Sequence, residues 1–440
     1  MKRFVIGLAL LASLSGCSIF GGGGEKKPKT PVLGERMPVL NAETGAEVDP
    51  SLADTPVDLP AGSINGDWTQ PGGNAAKSMG SLAIGLELKP AWSVRIAGST
   101  AKERLAASPV VSGDTVYVID VNAVVHAFRV ADGKEAWATA TGADDKSKSS
   151  RFGGGVSFDN GRLYATNGVG DVAALDATSG SILWKKRPGG PLRGAPTIAN
   201  DTLYVVSQDN QLFALKASDG STLWNEAGTL ELAGVFGVAA PAAAQGTVVA
   251  GFSSGELNAY RYENGRSVWQ DALSRTSIST AVASLSDIDA DPVIDAGRVY
   301  AVGQGGRMVA LELTTGQRLW ELNVAGISTP WVAGDWLFVV TDEAKLLCIA
   351  RTTGKVRWMS QLRRYRDDKP KKGTISWTGP VLAGDRLILA SSEGQLANVA
   401  TADGKLLSTG KAGAPVFLSP VVASQTLFLL DNEGHLTAWR

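Results

Sequence analysis

The chain has 440 residues, 44% hydrophobic and 19% charged, with 52 Gly, 19 Pro, 12 Trp, 2 Cys and 2 His. It is too apolar for wholesale disorder, and its net charge of −1 offers no basic field to recruit nucleic acid or acidic membrane. Two Cys cannot make a disulfide scaffold, two His leave little for a His-rich metal site, and glycine at 52/440, about 12% against a usual ~7%, points to many tight turns.

Lys2 and Arg3 precede an apolar run, Phe4 to Leu14, too short to cross a bilayer and suited to a secretory leader. The run ends in Leu14-Ser15-Gly16-Cys17, which resembles a bacterial lipobox. That resemblance implies cleavage of residues 1–16 and lipidation of Cys17, with Ser18 directing export to the outer membrane. Cys348, in the apolar setting Leu346-Leu347-Cys348-Ile349, is then left without a disulfide partner and reads as a small buried hydrophobe. Residues 17–64, with four consecutive Gly and recurrent Pro, show neither helix nor strand period and are expected to be a flexible tether.

From residue 65 onward one unit recurs. Gly-x-x-x-Trp appears at Gly133–Trp137, Gly180–Trp184, Gly220–Trp224, Gly265–Trp269, Gly316–Trp320 and Gly354–Trp358. Asp403-Gly404 keeps the turn but has Ser408 in place of Trp, and Trp92 precedes the series. From Trp92 to Trp358 the spacing is 266/6, about 44 residues, the length of one propeller blade. Each unit carries a short strand often opened by Pro, two alternating apolar strands joined by a Gly/Asn/Asp turn, then the Trp strand. The last unit stops after its third strand and the first has only a fourth. The expected fold is therefore all-β: an eight-bladed propeller over 65–440 of four-stranded antiparallel blades, closed by pairing N- and C-terminal strands.

This repeat resembles the pyrroloquinoline-quinone-type propeller repeat. Eight copies behind a lipobox resemble the BamB family, lipoproteins of the bacterial outer-membrane β-barrel assembly machinery. Two segments sharpen the likeness: Leu192-Arg193-Gly194-Ala195-Pro196 and Ser284-Leu285-Ser286-Asp287-Ile288-Asp289. The resemblance implies a lipid-anchored periplasmic scaffold at the outer membrane, docking on the POTRA domains of BamA alongside other assembly subunits, with nascent outer-membrane β-barrel proteins as a further contact. It carries Leu192, Arg193, Gly194, Asp287 and Asp289 over as partner-binding residues. The family has a further Leu where this chain has Gly190, which puts that apolar contact in doubt. From the residues alone, Arg193 offers a planar five-donor fork to a partner, or pairs internally with the aspartates across adjacent blades.

Other signals weigh less. Gly251-Phe252-Ser253-Ser254-Gly255 fits a hydrolase elbow but falls in a blade hairpin, and only His435 lies downstream. Asp287-x-Asp289-x-Asp291 opens like a calcium loop but has Pro292 where the sharp turn needs Gly. His126 and His435 read as ordinary strand residues. The rival class sharing the repeat, quinone-dependent dehydrogenases, resembles this chain less, since there is no Cys-Cys pair and no large inter-blade insert; a propeller scaffold for another envelope complex is a third reading. No catalytic residue, metal or cofactor is expected. Arg363 to Lys372 is the most basic stretch, a loop leading into the seventh blade.

Overall fold

The computed structural model describes residues 45–142, 153–230, 237–273 and 286–440. Residues 1–44, including the leader and Cys17, lie outside the described residues, as do Ser284 and Leu285.

Eight four-stranded antiparallel sheets form a ring, as the repeat spacing predicts. In chain order the blades are 1 (110–140), 2 (154–186), 3 (197–227), 4 (242–272), 5 (293–322), 6 (331–361), 7 (377–411) and 8 (421–439). Blade 8 takes its fourth strand from Pro90–Arg95, which pairs with His435–Trp439 in the register Trp92↔Ala438 and Arg95↔His435. Innermost strands are short and buried, second and third strands are apolar on both faces, and fourth strands alternate toward solvent. That gradient is why the middle strands read as near-continuous Val/Leu/Ala runs.

Seven of the eight seams share one device. The Gly opening each fourth strand has φ near +70°, for example +73° at Gly180 and +72° at Gly316, a region L side chains avoid. The preceding blade's Trp lies flat on it: a Cβ at Gly316 would sit 2.5 Å from Trp269 Cγ. The indole N–H then donates to a carbonyl of the next blade, Trp92 to Val130 at 2.8 Å, Trp184 to Ala217 at 3.1 Å and Trp269 to Leu313 at 2.7 Å. Trp137, Trp224, Trp320 and Trp358 repeat the pattern, making seven latches.

The segment 65–84 is a strap that visits every blade in ring order. The Asn65 carbonyl accepts from Ser424 of blade 8, the Trp68 backbone pairs with Val111 of blade 1, and the Thr69 carbonyl accepts from Phe158 of blade 2. Gln70 uses its side-chain amide as a strand would, accepting from Ile198 N–H at 2.9 Å and donating to Ile198 O at 3.0 Å in blade 3. Ala75 and Ala76 accept from Ala243 and Ile294 of blades 4 and 5. The Gly80 carbonyl receives the Trp331 indole of blade 6, and Leu82 pairs with Leu382 and Gly384 of blade 7. These contacts lie toward the C-terminal ends of the innermost strands, so the strap closes one end of the central channel.

The expected tether boundary at residue 64 needs correction over 45–64. Val48 forms a parallel bridge with Val356, Lys355 pairs with Asp49 at 2.9 Å, and Arg357 donates to the Thr55 carbonyl at 2.7 Å. Proline suits such an extended segment, held on an outer edge by partners that its own sequence does not announce.

Candidate functional site

The linkers between blades and the hairpins joining second to third strands share the end of the ring opposite the strap. There Leu192 is fully buried and bridged to Ser207, and the Arg193 backbone is held by Val206 O at 2.9 Å and Gly154 N at 2.7 Å. Gly194 packs so tightly on the Val238 carbonyl that no Cβ fits. With its backbone pinned, the Arg193 side chain runs along the channel wall rather than into solvent.

It is 1% exposed and donates to Gly237 O at 3.3 Å, Ile288 O at 3.5 Å and Asp289 Oδ1 at 3.1 Å. Arg193 thus leads into blade 3, spans the linker into blade 4 and ends on the linker into blade 5. The expectation that the two segments belong to adjacent blades is corrected: blade 4 lies between them. The expectation of an outward-facing fork is corrected too, because linkers from three blades close over the guanidinium. The internal pairing is the geometry found, buried rather than on the surface.

Asp289 also accepts from Gln304 Nε2 at 2.5 Å, and Asp287 is buried beside the same guanidinium. Burial pushes the Asp289 carboxyl up to about 6; Arg193 pulls the other way and the Asp287 charge adds to the rise. Burial likewise lowers Arg193 from its ordinary value. Asp291 turns elsewhere, accepting from Ala240 N–H at 2.7 Å and facing buried Lys77, whose ammonium donates to Thr197 Oγ1 at 3.0 Å. Burial brings Lys77 down to about 8. Asp289 and Asp291 therefore serve different cations and do not converge as calcium ligands would.

Between this end and the strap the channel keeps a cavity of about 120 Å³, lined by Lys77, Asp289, Asp291, Ser328, Thr329 and Trp331 among others. It is smaller than the ~150 Å³ cavity that accommodates one benzene.

Sequence reasoning missed the apolar rim. Leu230, Ile327 and Phe417 are 63%, 46% and 48% exposed, each in an inter-blade linker at this end. Isolated linker residues carry no periodic signal, so nothing in the sequence marks them. At Gly190 a Cβ would meet only Asp209 Oδ1, at 4.0 Å, so the side chain expected there leaves open surface.

The basic stretch forms a small hairpin, Tyr365–Asp367 with Lys372–Thr374. Arg366 pairs with Glu393 at 2.7 Å and Arg364 with Glu343 at 3.4 Å, leaving Lys369, Lys371 and Lys372 at the exposed tip. Gly251–Gly255 lies in a hairpin turn of blade 4. His126 and His435 are held by nearby carboxylates, Glu135 at 2.8 Å and Asp431 at 3.0 Å. Cys348 is buried, and burial pushes its thiol up.

The sequence profile described as outer membrane protein assembly factor BamB matches residues 39–151 and 121–360. The assembly factor BamB of Salmonella typhimurium is 32% identical over 351 residues, 79% of this chain and 87% of that protein. The crystal structure of BamB from Moraxella catarrhalis superposes with a TM-score of 0.68 at 19% identity, over 80% of this chain and 100% of that one. A europium-containing methanol dehydrogenase shares the fold at 14% identity, with a TM-score of 0.67 over 83% of this chain and 89% of its own.

Proposed function

Because the chain belongs to the BamB family of outer membrane protein assembly factors, we propose that it is a non-enzymatic scaffold of the β-barrel assembly complex, held at the outer membrane through lipidated Cys17 and docking on the periplasmic POTRA domains of BamA. Leu192, Arg193, Gly194, Asp287 and Asp289 form the docking region in this reading. The observation that carries it is the buried Arg193 clasp, which fixes three linkers side by side at the end of the ring where Leu230, Ile327 and Phe417 are exposed. Arg193 is a positioning residue here, and the linkers it pins make the contact. Exposed apolar residues at one rigid end of a ring suit a protein partner.

The test is a titration of the BamA periplasmic domain against folded variants, with circular dichroism as the fold check. Ile327→Asp adds a charge to the rim, and Arg193→Glu opens the clasp; each is expected to weaken docking about tenfold or more. Exchanging the pair, Arg193→Glu with Asp289→Arg, should restore part of the loss, because the partnership is internal. Unchanged affinity in both folded single variants would move the interface elsewhere. In the same strains, Cys17→Ser is expected to leave the outer-membrane fraction.

The dehydrogenase reading fits less well. The strap closes the channel at the end opposite the linkers, and the remaining cavity is too small for a polycyclic quinone. The residues present do not fit that cofactor, and we derive no step through it.

A further inference from the structure

The seam between blades 7 and 8 is built unlike the other seven. Those seven each carry an indole donating to the next blade, whereas blade 7 has Ser408 at that position, bonded to Asn398 at 3.0 Å. No Gly-x-x-x-Trp turn faces it either, because blade 8 takes its fourth strand from Pro90–Arg95. A groove of about 380 Å³ lies here, lined by Leu88, Leu396, Ser408, Lys411 and Trp439, with Leu86 at its lip 80% exposed. Trp439 occupies the pairing position held by buried Leu215 in blade 3, and its indole N–H is buried without an acceptor.

The strand beside the groove, Leu406–Lys411, is exposed along its whole length and has no charge before Lys411. Leu406 and Leu407 are 54% and 58% exposed. An outer edge of this kind offers unpaired amides to an added strand. The equivalent edge of blade 6 already carries a one-residue parallel bridge, Val48 to Val356, with the Asp49 N–H on the Val356 carbonyl. Lys405 is paired with Asp403 and Lys89 with Glu87, while Lys411 has no ion-pair partner among the described residues.

We propose that this seam receives an extended strand from a partner polypeptide, which pairs along 406–411, places an aromatic side chain in the groove and presents an acidic residue to Lys411. The charge at the lip and the aromatic-sized gap select that chemistry. This deepens the scaffold reading by giving it a second binding edge, and rests on that reading only for the identity of the client.

The test is fluorescence anisotropy of the full chain with a labelled, acetylated decapeptide alternating Tyr with polar residues and containing one Asp. Saturable binding is expected, weakened about tenfold by Ser408→Trp, which fills the groove as the other seams are filled, and by Lys411→Glu. Ser408→Trp should also raise the thermal midpoint, showing that lost binding is not lost folding. Replacing the probe's Tyr by Ser or its Asp by Lys should reproduce the losses. Absence of saturable binding, or equal affinity across the variants, would overturn the proposal. So would sedimentation showing a dimer that Ser408→Trp dissociates, since a second copy would then be the occupant. Ser408 lies mid-strand and outside the linkers, so Ser408→Trp should bind the BamA domain normally; loss of that docking alone would count against the scaffold reading and leave the seam standing.

Discussion

At Arg193 one guanidinium faces two buried carboxylates, Asp287 and Asp289, and the pH dependence follows from that imbalance. With Asp289 near 6 folded and ~3.9 unfolded, the folded chain binds the proton more tightly. Its stabilising contribution is present below about pH 4 and is lost as pH rises toward 6. Asp289→Asn, fixed in the neutral form, is therefore expected to be more stable than the parent at pH 7, with the advantage vanishing toward pH 4. Arg193→Gln should do the reverse, costing about 3–5 kcal/mol at pH 7 because two carboxylates remain without their cation. Chemical denaturation at a series of pH values reads both, and a pH-independent difference for Asp289→Asn would refute the charge argument. The family resemblance groups Arg193 with the aspartates, and internal pairing is one of two readings the residues leave open. The sequence does not show burial, because exposure of a linker residue depends on which linkers converge across blades.

The latch is the unit at the level of elements. A turn Gly with positive φ and a Trp four residues later both leave marks in the sequence, which is why blade number, spacing and the closing strand were legible. Side-chain identity is what each requires: no other residue tolerates the turn under a ring, and no other ring reaches the next carbonyl. Gly316→Ala combines backbone strain of about 1–3 kcal/mol with a Cβ pressed on Trp269. Trp269→Phe keeps most of the packing and loses the bond to Leu313, about 1–2 kcal/mol. Gly113→Ala, with φ +53° and nothing within 4 Å, isolates the strain alone. Urea unfolding should rank Gly316→Ala as the most damaging; parity with Gly113→Ala would mean the ring contact contributes nothing.

Across the whole molecule the strap ties the eight innermost strands together, and this was not legible. Most of its bonds run through backbone groups, which any sequence provides, so no residue pattern records them; the same holds for 45–64 on blade 6. Gln70 is the exception. Gln70→Ala leaves a buried N–H and C=O of Ile198 unpaired and is expected to cost about 2–3 kcal/mol. Hydrogen exchange should quicken in the innermost strands of several blades, beyond blade 3. A change confined to blade 3 would show that the strap is eight separate contacts and not one clasp.

Synthesis order gives the strap another meaning. Residues 65–95 leave the ribosome early, yet their partners extend to Ser424 and Trp439. Neither the strap nor the closing strand can be satisfied until nearly the whole chain has been made. Loop closure over such separations is slow, and the early blades must wait with unpaired inner edges. The ring therefore stays open while the chain is being made and locks only after its last blade arrives.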